Sequence, residues 1–173
     1  NFGGTMQQTV TEQAKMNLST NKRHNKKKAG LELKKHFTKD LENPLDVECE
    51  IRSSKITNPD GSIVFSMDGI EVPTSWSQLA TDIVISKYIR KAGVPKTSNE
   101  TSVCQLIYRV AHTIRGMGET LGGYFQSTET ADIFEAELSY MLIHQMGAFN
   151  SPVWFNCGLY HQYGISGKSD HYF

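Results

Sequence analysis

Apolar and polar residues alternate over 47–56, the period of a strand, and the alternation returns over Ser62-Ile63-Val64-Phe65-Ser66-Met67. Between the two runs stands Asn58-Pro59-Asp60-Gly61, with proline and glycine where a tight turn needs them, so a β-hairpin is predicted. Asp68-Gly69 marks a second turn into Ile70-Glu71-Val72, a third strand that completes a small antiparallel meander. Its structural role is a lid on the helices that follow; its functional alternative is a clamp or interface element. From Ser75 the apolar period lengthens to that of a helix. Ser75-x-x-Gln78 has the form of a capping box, and Trp76, Leu79, Ala80, Ile83, Val84 and Tyr88 recur until Gly93 and Pro95, with Lys87, Arg90 and Lys91 in the last turn, where the helix dipole favours cations. Ser102-x-x-Gln105 opens a second helix, striped by Val103, Leu106, Ile107, Val110, Ala111, Ile114, Met117 and Leu121 and closed by Gly122-Gly123. Ser127 or Thr128 caps a third, with Phe134, Leu138, Met141, Leu142 and Gln145 inward and Glu129, Asp132, Glu135 and Glu137 outward. The expected fold class is α+β, mainly α: a small hairpin or meander followed by three long amphipathic helices that bury one another's stripes.

Composition adds a division of the chain. With 173 residues, 38% apolar and 21% charged, it can bury one core, giving one domain plus a tail. The formal charge of zero conceals a split, because residues 1–40 hold nine of the eighteen Lys/Arg and three of the eighteen Asp/Glu. Residues 1–36 form a basic, low-order tail with a weak helical tendency around Leu31-Glu32-Leu33 and too little apolar content to fold alone. Asn21-Lys22-Arg23-His24-Asn25-Lys26-Lys27-Lys28 has the charge to touch nucleic acid or nucleotide phosphates by counterion release. No aromatic residue interleaves to stack a base, so a solvated tail stands ahead of a nucleic-acid contact. Cys49, Cys104 and Cys157 are far apart in sequence and cannot all pair, which favours a reducing cytoplasm over a disulfide scaffold. Neither a membrane-length apolar run nor a signal pattern is present, so a soluble cytoplasmic protein is expected, with no membrane partner. The chain begins at Asn1 and ends at Asp170-His171-Tyr172-Phe173, which suggests truncation at both ends.

Few residues invite chemistry. His112 and His144 border apolar stripes but lack a second ligand at helical spacing, so they read as core or rim histidines and no metal site is expected. Glu135 and Glu137 lie about 200° apart at 100° per residue, which makes them a solvated face rather than a catalytic pair. Met141 and Met146 are packing material. The segment Phe149-Asn150-Ser151-Pro152-Val153-Trp154-Phe155-Asn156-Cys157-Gly158 is different. The residue before proline is pushed out of the α region, so Ser151 is expected in an extended or turn backbone with its hydroxyl and amide free for an anion such as phosphate. The competing reading is that Ser-Pro ends the preceding helix while Val153, Trp154 and Phe155 pack in a core.

That segment, together with Ile56-Thr57-Asn58-Pro59-Asp60-Gly61-Ser62-Ile63-Val64-Phe65, Pro73-Thr74-Ser75-Trp76-Ser77-Gln78-Leu79-Ala80-Thr81-Asp82 and Ser86-Lys87-Tyr88-Ile89-Arg90-Lys91-Ala92-Gly93-Val94-Pro95, carries a family likeness. With Glu100-Thr101-Ser102-Val103 and Ala111-His112-Thr113-Ile114-Arg115, and in this order, residues 37–165 resemble the N-terminal domain of adenosylcobalamin-dependent (class II) ribonucleotide reductases. The tail, 1–36, lies outside the likeness, and 166–173 would begin the truncated catalytic region, a ten-stranded α/β barrel. The resemblance implies a whole enzyme that reduces ribonucleoside di- or triphosphates to 2′-deoxyribonucleotides. Adenosylcobalamin would start the chemistry, a cysteine thiyl would abstract the 3′ hydrogen, a carboxylate would assist loss of the 2′ hydroxyl as water, and a cysteine pair would supply two electrons. A homodimer and a thioredoxin-type reductant are implied partners.

By position, Ser151 matches the Ser/Thr-Pro site that contacts substrate phosphates in such enzymes, with Asn150 and Pro152 shaping the loop and Trp154, Phe155 and Asn156 supporting it. No catalytic residue carries over. Cys157 follows Ser151 too closely to match the family's reductant cysteine, so these residues alone are expected to be inert. The alternatives are a free-standing interaction module with a nucleic-acid-contacting tail, and a dimerisation or regulatory piece.

Overall fold

The structure, a computed structural model, describes residues 30–166. The run from Asn21 to Lys28, most of the expected tail and all but the first residue of the expected barrel start lie outside the described residues. Strands β1 (Cys49–Thr57) and β2 (Ile63–Pro73) form a two-stranded antiparallel hairpin. Among the described residues five helices follow: α1 (Gln78–Ile83), α2 (Val103–Leu121), α3 (Thr128–Ile143), α4 (Ser151–Asn156) and α5 (Leu159–Tyr163). A π-helical turn, Val84–Tyr88, prolongs α1. The expected α+β, mainly helical class is what the chain adopts.

The expected third strand is instead the second half of β2. Arg52 pairs with Ile70 but Ser54 with Met67, so β2 carries one extra residue there, and Gly69 takes the positive φ of 76° that such a bulge uses. This slip has a purpose in packing. Phe65 and Met67 occupy odd positions and Ile70 and Val72 even ones, yet all four face the helices because the bulge inverts the alternation between them. Without it Ile70 and Val72, fully buried here, would point to solvent.

Helix α1 is capped by Ser77, whose hydroxyl accepts from Ala80 N–H at 3.1 Å, rather than by Ser75. Gln78, the supposed box partner, donates to the Ser53 carbonyl and Asp82. Arg52 joins hairpin to helix, donating to the carbonyls of Trp76 and Thr74 and to the Thr81 hydroxyl. In α2 the expected cap holds: Ser102 accepts from Gln105 N–H, Gln105 accepts from Thr101 N–H, and Gly122 ends the helix. The α3 cap is Ser127, accepting from Thr130 N–H.

Helix α3 ends at Ile143, well before the Ser-Pro pair. Gln145 turns left-handed at φ 56°, Met146 N–H reaches back to the Met141 carbonyl, and the Trp76 indole donates to the Ile143 carbonyl at 2.7 Å. Gln145 is therefore exposed, not inward. The core lies where β2, the π-turn, α2 and α3 meet, built from Ile70, Val72, Val84, Ile85, Ile89, Val103, Leu106, Ile107, Val110, Leu142 and Ile143.

Two expectations for charged and terminal residues are also corrected. Leu31 is not helical; it makes a parallel bridge to Phe125. Glu137 does not face open water. Its carboxylate accepts the N–H groups of His36, Phe37 and Thr38, each at 3.0 Å, and the Thr38 hydroxyl at 2.7 Å, while Phe37 stacks on Tyr140. Glu135 is likewise engaged, by His112 and Arg115. Burial alone would raise the Glu137 carboxyl, but the Thr38 hydroxyl and the three N–H groups outweigh it and hold its pKa at about 2. Among the described residues no helix is long and apolar enough to cross a membrane.

Candidate functional site

Ser151 lies at the start of α4, not in an extended loop. Asn150 is the extended residue, at φ −69° and ψ 160°, and Pro152 fills the first turn of the helix, where its missing N–H is no loss. The bias against helical backbone before proline falls on Ser151, yet the structure places Ser151 in the first helical turn, so the helix is entered at the Ser-Pro pair rather than broken by it. Asn150 and Pro152 are exposed and Ser151 is half-buried. The Asn150 side chain makes no capping bond to the helix it precedes. Nor is the Ser151 hydroxyl free: it lies 3.1 Å from the Tyr88 hydroxyl, the final residue of the π-turn. Tyr88 is in turn fixed by its ring, 6.1 Å from Trp154 and 5.5 Å from Phe155 between centroids.

Helices of six and five residues cannot stand by themselves, so α4 and α5 must be held from outside. Arg109, 1% exposed on α2, does this. Its guanidinium donates to the carbonyls of Trp154 and Cys157 at the C-terminal end of α4 and pairs with Glu100, which is completely buried, at 2.7 Å. Glu100 also accepts the Arg90 N–H at 2.8 Å and the Tyr163 hydroxyl at 2.9 Å. One carboxylate and one guanidinium thereby join the end of the π-turn segment, α2, α4 and α5. Burial, then the charge and hydrogen bond of Glu100, push the Tyr163 phenol far up, so it stays a donor. Gly158 lets the chain turn between α4 and α5 at φ 81°, against the Arg109 backbone: a Cβ there would lie 2.6 Å from the Arg109 carbonyl oxygen.

Sequence reasoning gave no site role to Arg109, Glu100, Tyr163 or Tyr88, though it placed Tyr88 in an apolar stripe and Glu100 among the family-like segments. Arg109 had a signal, since it stands at the border of an apolar stripe beside Leu106 and Thr113, where a charge is expected to find a partner. Nothing local marks Glu100 or Tyr163, which meet only in three dimensions.

The thiols offer no reactive centre. Cys157 is buried, and burial raises its pKa against the opposing charge of Arg109. Burial lifts Cys104 to about 12 and also raises Cys49. Among the described residues no group of His, Cys, Asp or Glu is placed to hold a metal ion. A cavity of about 380 Å³ lies between Trp76, Tyr88, Leu106, Leu142 and Trp154 and is mainly apolar. It is far smaller than a corrin with its nucleotide tail. The described residues therefore do not fit a cobalamin.

A family profile described as class II vitamin B12-dependent ribonucleotide reductase matches residues 50–145. Proteins named vitamin B12-dependent ribonucleotide reductase are similar to the chain in several organisms. The one from Rhodopirellula baltica is 47% identical over 120 residues, covering 68% of this chain and 11% of the relative. That from Streptomyces avermitilis is 46% identical over 135 residues, 76% of this chain and 14% of the relative. A third, from Agrobacterium fabrum, is 36% identical over 176 residues, 83% of this chain and 14% of the relative. The chain thus spans less than one sixth of the length of these relatives. The profile ends six residues before Ser151.

Proposed function

Because the chain belongs to the class II vitamin B12-dependent ribonucleotide reductase family, we propose that it serves as the N-terminal part of an enzyme that reduces ribonucleoside di- or triphosphates to 2′-deoxyribonucleotides. Cobalamin dependence comes with the family, and the cofactor belongs to other parts of that enzyme, since the residues described here do not fit it. The same holds for the radical and reductant cysteines: the three thiols present are half-buried or buried, and burial keeps them protonated. These 173 residues alone are inert in this reading. A homodimer and a thioredoxin-type reductant would complete the enzyme.

The part played by this segment is substrate placement. Ser151 offers a hydroxyl to a substrate phosphate, with Asn150 and Pro152 shaping the approach. A hydroxyl that donates to an anionic oxygen makes a charge-assisted bond, about twice as strong as a neutral one. The observation that supports this role is the mounting of Ser151. It stands at the head of a six-residue helix whose far end is fastened by a buried Arg109–Glu100 pair, an arrangement with more rigidity than a helix stop requires.

The test is a steady-state assay of the full-length reductase with adenosylcobalamin, a dithiol and a ribonucleotide. Wild type should form deoxyribonucleotide only with the cobalamin present, and Ser151→Ala should raise KM about tenfold with kcat little changed. Unchanged KM in Ser151→Ala would remove the phosphate role, and cobalamin-independent turnover would remove the proposed activity.

A further inference from the structure

We propose that Tyr88 is a second phosphate ligand, acting with Ser151 as a paired-hydroxyl anion site; the inference rests on the reading of Ser151 just given. The two oxygens are 3.1 Å apart, so in the free protein one hydroxyl donates to the other and the second proton of the pair points elsewhere. An arriving phosphate changes the balance. Each hydroxyl has one proton to give, an anionic oxygen is a better acceptor than a neutral hydroxyl, and two donors at this spacing match either two oxygens of one phosphate or a single shared oxygen.

The backbone gives a second reason. Tyr88 closes the one π-helical turn among the described residues, where the Ile89 N–H bonds to the Val84 carbonyl five residues back at 2.9 Å and the chain then leaves the helix at φ −56°, ψ 128°. Wide turns of this kind are rare overall and frequent at functional sites. Here the group so placed is the phenol, and its ring is packed on Trp154 and Phe155, two residues of the same helix that carries Ser151. The two hydroxyls therefore belong to one rigid unit, and neither must be ordered when the anion binds.

Tyr88→Phe deletes one oxygen and leaves the ring, so it tests the hydroxyl without removing the packing. In the full-length reductase, KM for the ribonucleotide and the inhibition constant of inorganic pyrophosphate should both rise about tenfold, while kcat and the unfolding midpoint stay close to wild type. Ser151→Ala combined with Tyr88→Phe should weaken binding by less than the product of the two single effects, because the hydroxyls share one ligand. If Ser151→Ala weakens nucleotide and pyrophosphate while Tyr88→Phe leaves both constants alone, the Tyr88 proposal is wrong and the Ser151 role stands. A fall in kcat and in the unfolding midpoint with unaltered pyrophosphate inhibition would make Tyr88 a packing residue and also overturn it. If neither variant moves either constant, both assignments fail together.

Discussion

Replacing Arg109 by methionine should be among the most damaging single changes available in this fold. The substitution keeps an unbranched chain of similar length, so the losses are polar. Glu100, with no exposed surface, keeps the Arg90 N–H and the Tyr163 hydroxyl but loses its counter-charge, and the carbonyls of Trp154 and Cys157 lose their donor. Removing one member of a buried pair destabilises by about 3–5 kcal/mol. Against a typical total of about 5–15 kcal/mol for a domain, that leaves Arg109→Met marginal. A second substitution should relieve part of the loss. In a variant carrying Glu100→Gln as well, no uncompensated charge remains, so the double variant should be more stable than Arg109→Met alone by about 1–2 kcal/mol. Urea unfolding followed by tryptophan fluorescence is a suitable assay, because Trp154 is one of two tryptophans and its own carbonyl is an Arg109 acceptor. A loss below about 1 kcal/mol for Arg109→Met, or a double variant no more stable than the single, would refute the claim that this pair holds α4 and α5.

Three further outcomes are expected. Gly158→Ala should destabilise the fold by about 2 kcal/mol or more, read as a clearly lower melting temperature, because φ is positive and the new Cβ meets Arg109 backbone; Gly61→Ala, with φ 84° but open space around it, should cost about 1 kcal/mol. Ser77→Ala should destabilise by about 1 kcal/mol and Ser75→Ala by much less, a pair of thermal melts that separates the two candidate caps of α1. Glu137 has a folded pKa of about 2, below its unfolded value, so its contribution is complete above about pH 5 and is lost as pH falls toward 2. Glu137→Gln should flatten stability between pH 5 and 2 by about 1–2 kcal/mol after solvent screening and expose the backbone at 36–38 to faster proteolysis, both measurable on the purified protein; an unaltered pH slope would contradict the clamp.

Periodicity was legible where one physical rule acts alone. The cap and stripe of α2 follow from Ser102, Gln105 and the spacing of its apolar residues, and the structure keeps them. It misled where two rules compete. Asp68-Gly69 has turn chemistry, but the need to keep Ile70 and Val72 on the buried face makes it a bulge within one strand. Ser151-Pro152 has the local form of a helix stop, yet proline is equally at home in a first turn, and Asn150 takes the extended conformation in its place. Glu135 and Glu137 look solvated on a helical wheel because the wheel knows nothing of His112, Arg115 or the strap at 36–38. The candidate loop was visible as a motif. Its fastening was not, since Arg109 and its acceptors lie 45 and 48 residues apart.

Those separations also order events during synthesis. At about 5–20 residues per second, Cys157 leaves the ribosome roughly 2–10 s after Arg109. During that interval α2 and α3 can already close on each other, while Arg109 has Glu100 but not the carbonyls that complete its shell. Helices α4 and α5 are thus made after α2 and α3, and that waiting guanidinium is one of the groups that later fasten them. A nascent chain stalled before residue 154 should present α2 with an open polar seam at Arg109, a form in which a chaperone would have something to cover.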